Sequence, residues 1–174
     1  MGEMNEPFGT VVSVIIVVFA LFFVQITYDT SKTDMATNVH AYKVVNDFVD
    51  EVELNGYISQ DMYNNLQKKL SDTGVMYTIE MTHAHAVISP VFNENGDAIK
   101  GTKTSTVNTY EDEILDKLYD TDGMYYLEAD DYFSITVKNK TRTLAQKLNR
   151  IVTGTSTKYA VVIVAGGVVR NENY

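Results

Sequence analysis

Residues 11–26 read VVSVIIVVFALFFVQI. The run carries no charge, and only Ser13 and Gln25 within it are polar. With residues 7–10 before it and residues 27–28 after it, the apolar segment reaches the length of about 20 residues that a helix needs to cross a bilayer. Insertion of so many Val, Ile, Leu and Phe side chains is favoured by roughly 4–6 kcal/mol. The sequence therefore predicts an N-terminal transmembrane helix.

Two other interpretations of this run are a buried core helix and a cleaved signal peptide. A core helix is usually apolar along one stripe, whereas this run is apolar on every side. A signal peptide has a basic region before its apolar part and small residues at its cleavage site. Here the first basic residue is Lys32, and the end of the run, at residues 22–25, is bulky because it contains Phe22 and Phe23. We therefore expect residues 1–33 to form a tail and a membrane anchor, and residues 34–174 to form an exported domain.

The residues after the anchor predict a second helical segment. No proline lies between Pro7 and Gly56, and glycine suits the position just after a helix end. The transmembrane helix is therefore expected to continue as an amphipathic helix to residue 55. Its apolar face is predicted from residues at helical spacing, which are Met35, Val39, Tyr42, Val45, Val49 and Val52.

The rest of the chain predicts short elements of both kinds. Ser59 is typical of an N-cap before a helix that ends near residue 72, and residues 75–88 alternate as in a strand. Residues 93–106 are polar and predict a loop. Further predicted elements are a short acidic helix at 110–120, a strand at 125–138, a helix at 142–152 on Leu144, Leu148 and Ile151, and a strand at 159–169. The predicted core comprises Phe133, Ile135, Leu144, Leu148, Val161 and Ile163.

This order of elements indicates the α+β class. The expected architecture is a long N-terminal transmembrane and amphipathic helix packed on a small, mainly antiparallel sheet, with additional helices. The formal net charge of −9 argues against nucleic acid as a partner, because binding to phosphates requires a basic surface. The chain has no cysteine, which excludes disulfides, thiolate nucleophiles and Cys-ligated metals.

Two histidines stand out among the residues that could carry chemistry. His83 and His85 lie two residues apart on one face of the predicted strand, an arrangement that can bind zinc or copper. A metal site needs further ligands, however, and His40 lies on another element, while Glu80 points to the opposite strand face. The preferred interpretation is a strand whose inner face becomes polar as it leaves the core, so no metal site and no cofactor are expected.

The acidic residues give weaker signals still. Residues 120–123 and 93–97 resemble fragments of calcium loops, but the complete ligand pattern is absent, and turns rich in Asp, Asn and Gly look the same without calcium. Glu128, Asp130 and Asp131 could serve acid–base chemistry, but a solvated strand edge is the preferred interpretation. No recognised catalytic motif occurs, so the sequence does not predict an enzyme.

A single long N-terminal helix, half in the membrane and half packed on a sheet, resembles the type IV pilin family. Among its members the chain looks most like the TadE-type minor pseudopilins of tight-adherence pili. The resemblance covers about the first 55 residues in architecture. It implies a subunit stored in the cell membrane by a single span, with its C-terminal domain outside the cell, which assembles with copies of itself or related pilins into a surface filament or secretion apparatus.

The resemblance also implies which residues take part in assembly. An acidic residue near the N-terminus would pair with the terminal amine of a neighbouring subunit, and Glu6 is preferred because the helix dipole favours a carboxylate there. A plain N-terminal cap or interface charge remains the alternative for Glu6. The predicted assembly residues are Glu3, Glu6, Phe8, Val11, Val14, Ile15, Val18, Phe19, Phe22 and Phe23. The second hypothesis for function is a membrane-tethered binding or sensor domain that does not polymerise.

Overall fold

The computed structural model describes residues 5–92, 98–120, 122–141, 147, 150–151, 154 and 161–172. The chain divides into two compact units, residues 1–39 with 142–159 and residues 40–141 with 160–174. The predicted α+β class is confirmed, since a long N-terminal helix is combined with antiparallel sheets and further helices. The predicted domain boundary between residues 33 and 34 stays a prediction, because one unbroken helix runs through both positions.

The described elements are three helices and six strands arranged in two sheets. The larger sheet has the strand order β3-β2-β5-β6, with every neighbouring pair antiparallel, and β1 pairs with β4 in a separate two-stranded sheet. The elements are α1 (Asn5–Asn55), β1 (Tyr57–Ser59), α2 (Gln60–Ser71), β2 (Tyr77–Phe92), β3 (Ala98–Tyr110), α3 (Glu111–Leu118), β4 (Met124–Tyr126), β5 (Tyr132–Asn139) and β6 (Val162–Val168).

The ends of the helices follow the capping signals in the sequence. Gly56 adopts a φ of 71° directly after α1, a conformation that glycine reaches without steric cost. Its backbone N–H donates to the carbonyl of Val52 at 2.9 Å. The Ser59 side chain accepts a hydrogen bond from the backbone N–H of Met62 at 3.2 Å, which confirms Ser59 as the N-cap of α2.

The buried face of α1 differs from the predicted one. Met35, Val39 and Tyr42 are exposed, so the prediction is wrong for these three residues. Apolar residues are adjacent at 44–45 and at 48–49, so the apolar stripe of α1 is broad. The predicted centre of the stripe therefore differs from the observed centre by about one residue, or 100° around the helix axis. The residues that α1 buries are Ala41, Val44, Val45, Phe48, Val49 and Val52.

The predicted loop at 93–106 is wrong from residue 98 onward. Residues 98–110 form β3, which pairs antiparallel with β2 from Thr82–Tyr110 to Phe92–Ala98, with one shift of register at Pro90/Val91. The segment contains several threonines, which favour strands despite their polarity. As β3 is an edge strand of the sheet, its polar composition is typical of such strands.

The predicted strand at 125–138 is divided into β4 and β5 by a turn. Asp130 adopts a φ of 70°, which Asp tolerates better than most residues. The N–H of Asp131 donates to the carbonyl of Glu128 at 3.2 Å. Backbone bonds tie this turn to the end of β6, from Asp130 N–H to the carbonyl of Val169 (2.9 Å) and from Val169 N–H to the carbonyl of Asp131 (2.8 Å).

The core lies between one face of the large sheet and the second half of α1, within residues 40–141 and 160–172. Of the predicted core, Phe133, Ile135 and Ile163 are buried and Val161 packs partly buried against them. Leu144 and Leu148 lie outside the described residues. Ile151 was predicted on the same apolar helix face as these two leucines. It is exposed, so this face is not buried at residue 151.

We expect Phe133→Ala to lower the free energy of unfolding by about 3–5 kcal/mol. Phe133 is fully buried, and its ring packs edge-to-face on Phe48 with centroids 6.2 Å apart. Chemical unfolding of the full chain in detergent, followed by circular dichroism, measures the change. The exposed Val164 on β6 provides the control, and Val164→Ala should cost less than about 1 kcal/mol. Equal losses from the two variants would contradict the core assignment.

Candidate functional site

The described members of the predicted assembly residues lie on the N-terminal part of α1, and most of them are exposed. Glu6 lies in the first turn of α1, and Glu3 lies outside the described residues. Phe23 is partly buried, and the exposed members are Phe8, Val11, Val14, Ile15, Val18, Phe19 and Phe22. Phe8 and Phe19 each keep 72% of their surface exposed.

Two hydroxyl side chains in this part of α1 donate hydrogen bonds to carbonyls of the helix itself. The hydroxyl of Ser13 donates to the carbonyl of Gly9 at 2.8 Å, and that of Thr27 donates to the carbonyl of Phe23 at 2.9 Å. Such bonds to the fourth preceding carbonyl spare a hydroxyl the cost of lacking a partner in an apolar environment. The helix Pro7–Asn55 is long and apolar enough to cross a membrane, as judged by its length and composition, and a signal sequence would satisfy the same test.

A second candidate site lies on the domain and is built on β2. His83 and His85 share the inner face of this strand, as the alternating pattern predicts. His83 is only 7% exposed, whereas the side chain of His85 is 38% exposed, so the inner face leaves the core at His85 rather than at His83. The neighbouring strands place Phe133 of β5 and Thr109 of β3 opposite His83 in the register.

Asp131 joins the two histidines because of the turn between β4 and β5. Its carboxylate accepts hydrogen bonds from His83 Nε2 at 2.7 Å and from His85 Nδ1 at 2.6 Å. The backbone N–H of Glu128 donates a third bond to Asp131 at 2.8 Å. The exposed fraction of Asp131 is 2%. A buried carboxylate is thus surrounded by three donors.

The pKa of the Asp131 carboxyl reflects these contacts. Burial by itself raises this pKa, but the hydrogen bonds from Glu128 N–H, His83 and His85 outweigh burial and hold the pKa below its ordinary value. Asp131 is therefore ionised at neutral pH. With Asp131 as an acceptor, His83 carries a hydrogen on Nε2 and His85 carries one on Nδ1.

Tyr125 of β4 completes the cluster on the other side of His83. Its hydroxyl lies 2.7 Å from His83 Nδ1. Burial raises the pKa of this hydroxyl, and the hydrogen bond from Thr109 and the charge of Lys117 oppose the rise only in part. The hydroxyl therefore remains protonated and donates to His83 Nδ1. Both nitrogens of the His83 ring are thus fixed by hydrogen bonds, which sets the orientation of the ring.

The cluster opens into a pocket of about 650 Å³. His83, His85, Tyr125 and Asp131 line one part of this pocket. The other charged residues that line it are one lysine, Lys117, and four acids, which are Glu113, Asp120, Asp122 and Glu128. The pocket therefore has an excess of negative charge, which attracts cations.

Sequence reasoning identified the two histidines but missed the residue that joins them. Glu128 and Asp130 are exposed, as expected, but in a turn rather than on a strand. Asp131 was grouped with them, although its place in the alternating pattern put it on the inner face with Phe133. A charged residue at an inward position, together with inward histidines on another strand, was the signal that could have revealed the cluster.

Among known proteins, nothing identifies a family for this chain. A scan against protein-family models finds no match, and searches of curated proteins and of solved structures find none either.

We expect Asp131→Asn to lower the free energy of unfolding at pH 7 by about 1–3 kcal/mol. The amide of asparagine has one acceptor oxygen and directs its NH₂ group against a donating ring nitrogen. Because the pKa of Asp131 lies below its ordinary value, its stabilising contribution is present above the unfolded-state pKa of about 3.9 and is lost as the pH falls through the native pKa. Urea unfolding in chelator-treated buffer measures the difference, which should shrink below about pH 4.

The neighbouring Asp130 provides the matched control. It is exposed and has a positive φ, a conformation that asparagine also tolerates. Asp130→Asn should change stability by no more than about 0.5 kcal/mol. If the two variants lose the same stability, the hydrogen bonds to Asp131 do not stabilise the domain.

Proposed function

We propose that the protein is a membrane-anchored structural subunit, of the minor pseudopilin kind, that assembles into a surface filament or secretion apparatus through its N-terminal helix. The observation that supports this proposal is the exposed apolar surface along residues 8–26 of α1. Each exposed Val, Ile, Leu or Phe side chain gains about 1.5–3 kcal/mol when it is fully buried. This helical segment therefore requires a cover, which lipid provides before assembly and neighbouring helices provide afterwards.

The end of the apolar run also fits a membrane boundary. The ammonium group of Lys32 lies 4.4 Å from the centroid of the Tyr28 ring. Tyrosine is enriched where lipid meets water, and a lysine near the end of a membrane-spanning segment extends its charge toward the aqueous side. Tyr28 and Lys32 lie two and six residues after the last residue of the run, so the change from apolar to polar side chains occurs within about two helical turns.

The continuity of α1 favours a permanent anchor over a cleaved signal sequence. The helix runs from Asn5 to Asn55, and its last third contributes Val45, Phe48 and Val52 to the core of the domain. Cleavage after the apolar run would cut inside this helix. An anchor needs no such cut and keeps the membrane segment and the domain on one helix.

A membrane-tethered binding domain that does not polymerise is the second candidate function. The pocket beside His83, His85 and Asp131 is the specific observation that favours it. The two candidates share the anchor and differ in whether the helices of separate copies pack together. An anchoring experiment therefore tests what the two candidates share, and an experiment on helix association distinguishes them.

For anchoring, the full chain is expected in the membrane fraction and should resist extraction by alkaline carbonate. A chain that starts at Asp34 lacks the apolar run and should be soluble and folded, because the buried core begins at Ala41. Fractionation and circular dichroism check both expectations. Recovery of the full chain in the soluble fraction without detergent would contradict the anchor.

For assembly, the absence of cysteine in the chain makes single-cysteine cross-linking unambiguous. Val14→Cys and Val18→Cys lie on the exposed apolar segment and should give disulfide-linked dimers in membranes under mild oxidation. Ser71→Cys, at the exposed end of α2, is the control and should remain monomeric. Filaments sheared from cells should contain the protein. Full membrane retention without dimers at either helix position, and without sheared filaments, would favour the tethered binding domain.

A further inference from the structure

We propose that His83, His85 and Asp131 form a binding site for one divalent transition-metal ion with the ligand preference of Zn²⁺. This site is separate from the anchor, so the inference does not depend on the proposed function. The sequence offered two histidines without a third ligand. The turn before β5 supplies that ligand.

The donor atoms are close enough for a single ion. One nitrogen of each imidazole and a carboxylate oxygen of Asp131 all lie within 4.8 Å of one another. A zinc ion binds nitrogen at about 2.0–2.1 Å and carboxylate oxygen at about 2.0–2.2 Å. In tetrahedral geometry these bond lengths place neighbouring ligand atoms roughly 3.3 Å apart. The present nitrogen–oxygen contacts of 2.6 and 2.7 Å therefore widen by less than about 1 Å when the ion replaces the two bridging protons.

The surrounding hydrogen bonds already orient these ligands. In the metal-bound site, His83 coordinates through Nε2 and its Nδ1–H donates to the hydroxyl oxygen of Tyr125, which lies 2.7 Å away. The Glu128 N–H still holds the Asp131 carboxylate. Partners of this kind fix the ring and raise the affinity for the metal. His85, whose side chain is 38% exposed, is the ligand with room to adjust.

The charge and openness of the pocket also suit a cation. Glu113 and Glu128 line it with further acids, against the single base Lys117, and Lys117 pairs with Glu113 at 3.2 Å. The net negative field raises the local concentration of divalent cations. Because the pocket is open to solvent, water can occupy the fourth coordination position.

The ligand types decide which class of ion binds. Calcium and magnesium prefer oxygen ligands throughout, whereas two imidazoles with one carboxylate suit zinc, copper and nickel. The proposal therefore concerns the borderline transition metals. For a given nitrogen and oxygen site, copper(II) binds more tightly than zinc.

The test measures Zn²⁺ binding to the full chain in detergent, purified without a polyhistidine tag and treated with a chelator. Isothermal titration with ZnCl₂ should give one ion per chain, and Co²⁺ should develop the visible absorption of a low-symmetry nitrogen and oxygen site. CaCl₂ should give no comparable heat. Tyr125→Phe removes the hydroxyl that hydrogen-bonds His83 and should weaken Zn²⁺ binding by about 10–100-fold. His85→Ala removes a ligand and should weaken Zn²⁺ binding by at least as much.

The matched control is His40→Ala. The chain has three histidines, and His40 lies exposed on α1, so its removal should leave Zn²⁺ affinity unchanged. Circular dichroism verifies that each variant is folded. If His85→Ala is not folded, the Zn²⁺ affinity of Tyr125→Phe and the Co²⁺ spectrum of the unaltered chain test the proposal instead. Absence of stoichiometric Zn²⁺ binding, or equal affinity in the folded His85→Ala and His40→Ala variants, would overturn the proposal and leave a hydrogen-bonded cluster without a metal.

Discussion

The burial of one face of α1 against the large sheet is the contact on which the domain depends. Val45 and Val52 are fully buried, and Phe48 packs edge-to-face on Phe133 of β5. Without this helix face, the inner side of β5 would be exposed to water, and burial of apolar side chains is the main favourable contribution to folding. The same helix also carries the apolar run 8–26, so the domain and the exposed segment share one continuous backbone.

The end of β6 secures this helix to the sheet. The backbone N–H of Arg170 donates to the carbonyl of Glu53 at 2.8 Å, and that of Glu172 donates to the carbonyl of Leu54 at 2.9 Å. These bonds satisfy carbonyls in the last turn of α1, which have no partner within the helix. A Cβ atom at Gly167 would collide with the carboxylate of Glu53, so a larger residue there would displace the end of that flexible side chain.

Sequence patterns predicted the features that depend on neighbouring residues in the chain, and missed those that depend on a contact with a distant segment. Helix ends at Gly56 and Ser59 follow from local capping chemistry. By contrast, β3 looks like a loop because its threonines and charges form a strand only beside β2. The break at Asp130 was also missed, because alternating apolar residues stand on both sides of it, Leu127 and Ala129 before and Phe133 and Ile135 after. Local propensity cannot reveal pairing with a strand far along the chain.

The candidate site was also predicted only in part, because its members come from distant segments of the chain. The strand pattern located His83 and His85, but the contact with Asp131 depends on the turn between β4 and β5 and on its backbone bonds to Val169. No local signal connects residues that are 46 and 48 positions apart.

Stability alone does not explain why such a polar cluster occupies a core position. Taking a carboxylate and an imidazole out of water carries a penalty that their mutual attraction often only balances, and well-packed apolar residues are commonly as stable or more so. Ile79 and Met81 occupy the preceding inward positions of β2 with apolar side chains, so the strand could continue in that way at residues 83 and 85. Instead, His83 uses both of its ring nitrogens and Asp131 receives three donors. Polar groups organised to this degree beside an open, acidic pocket favour a role in binding over a role in packing.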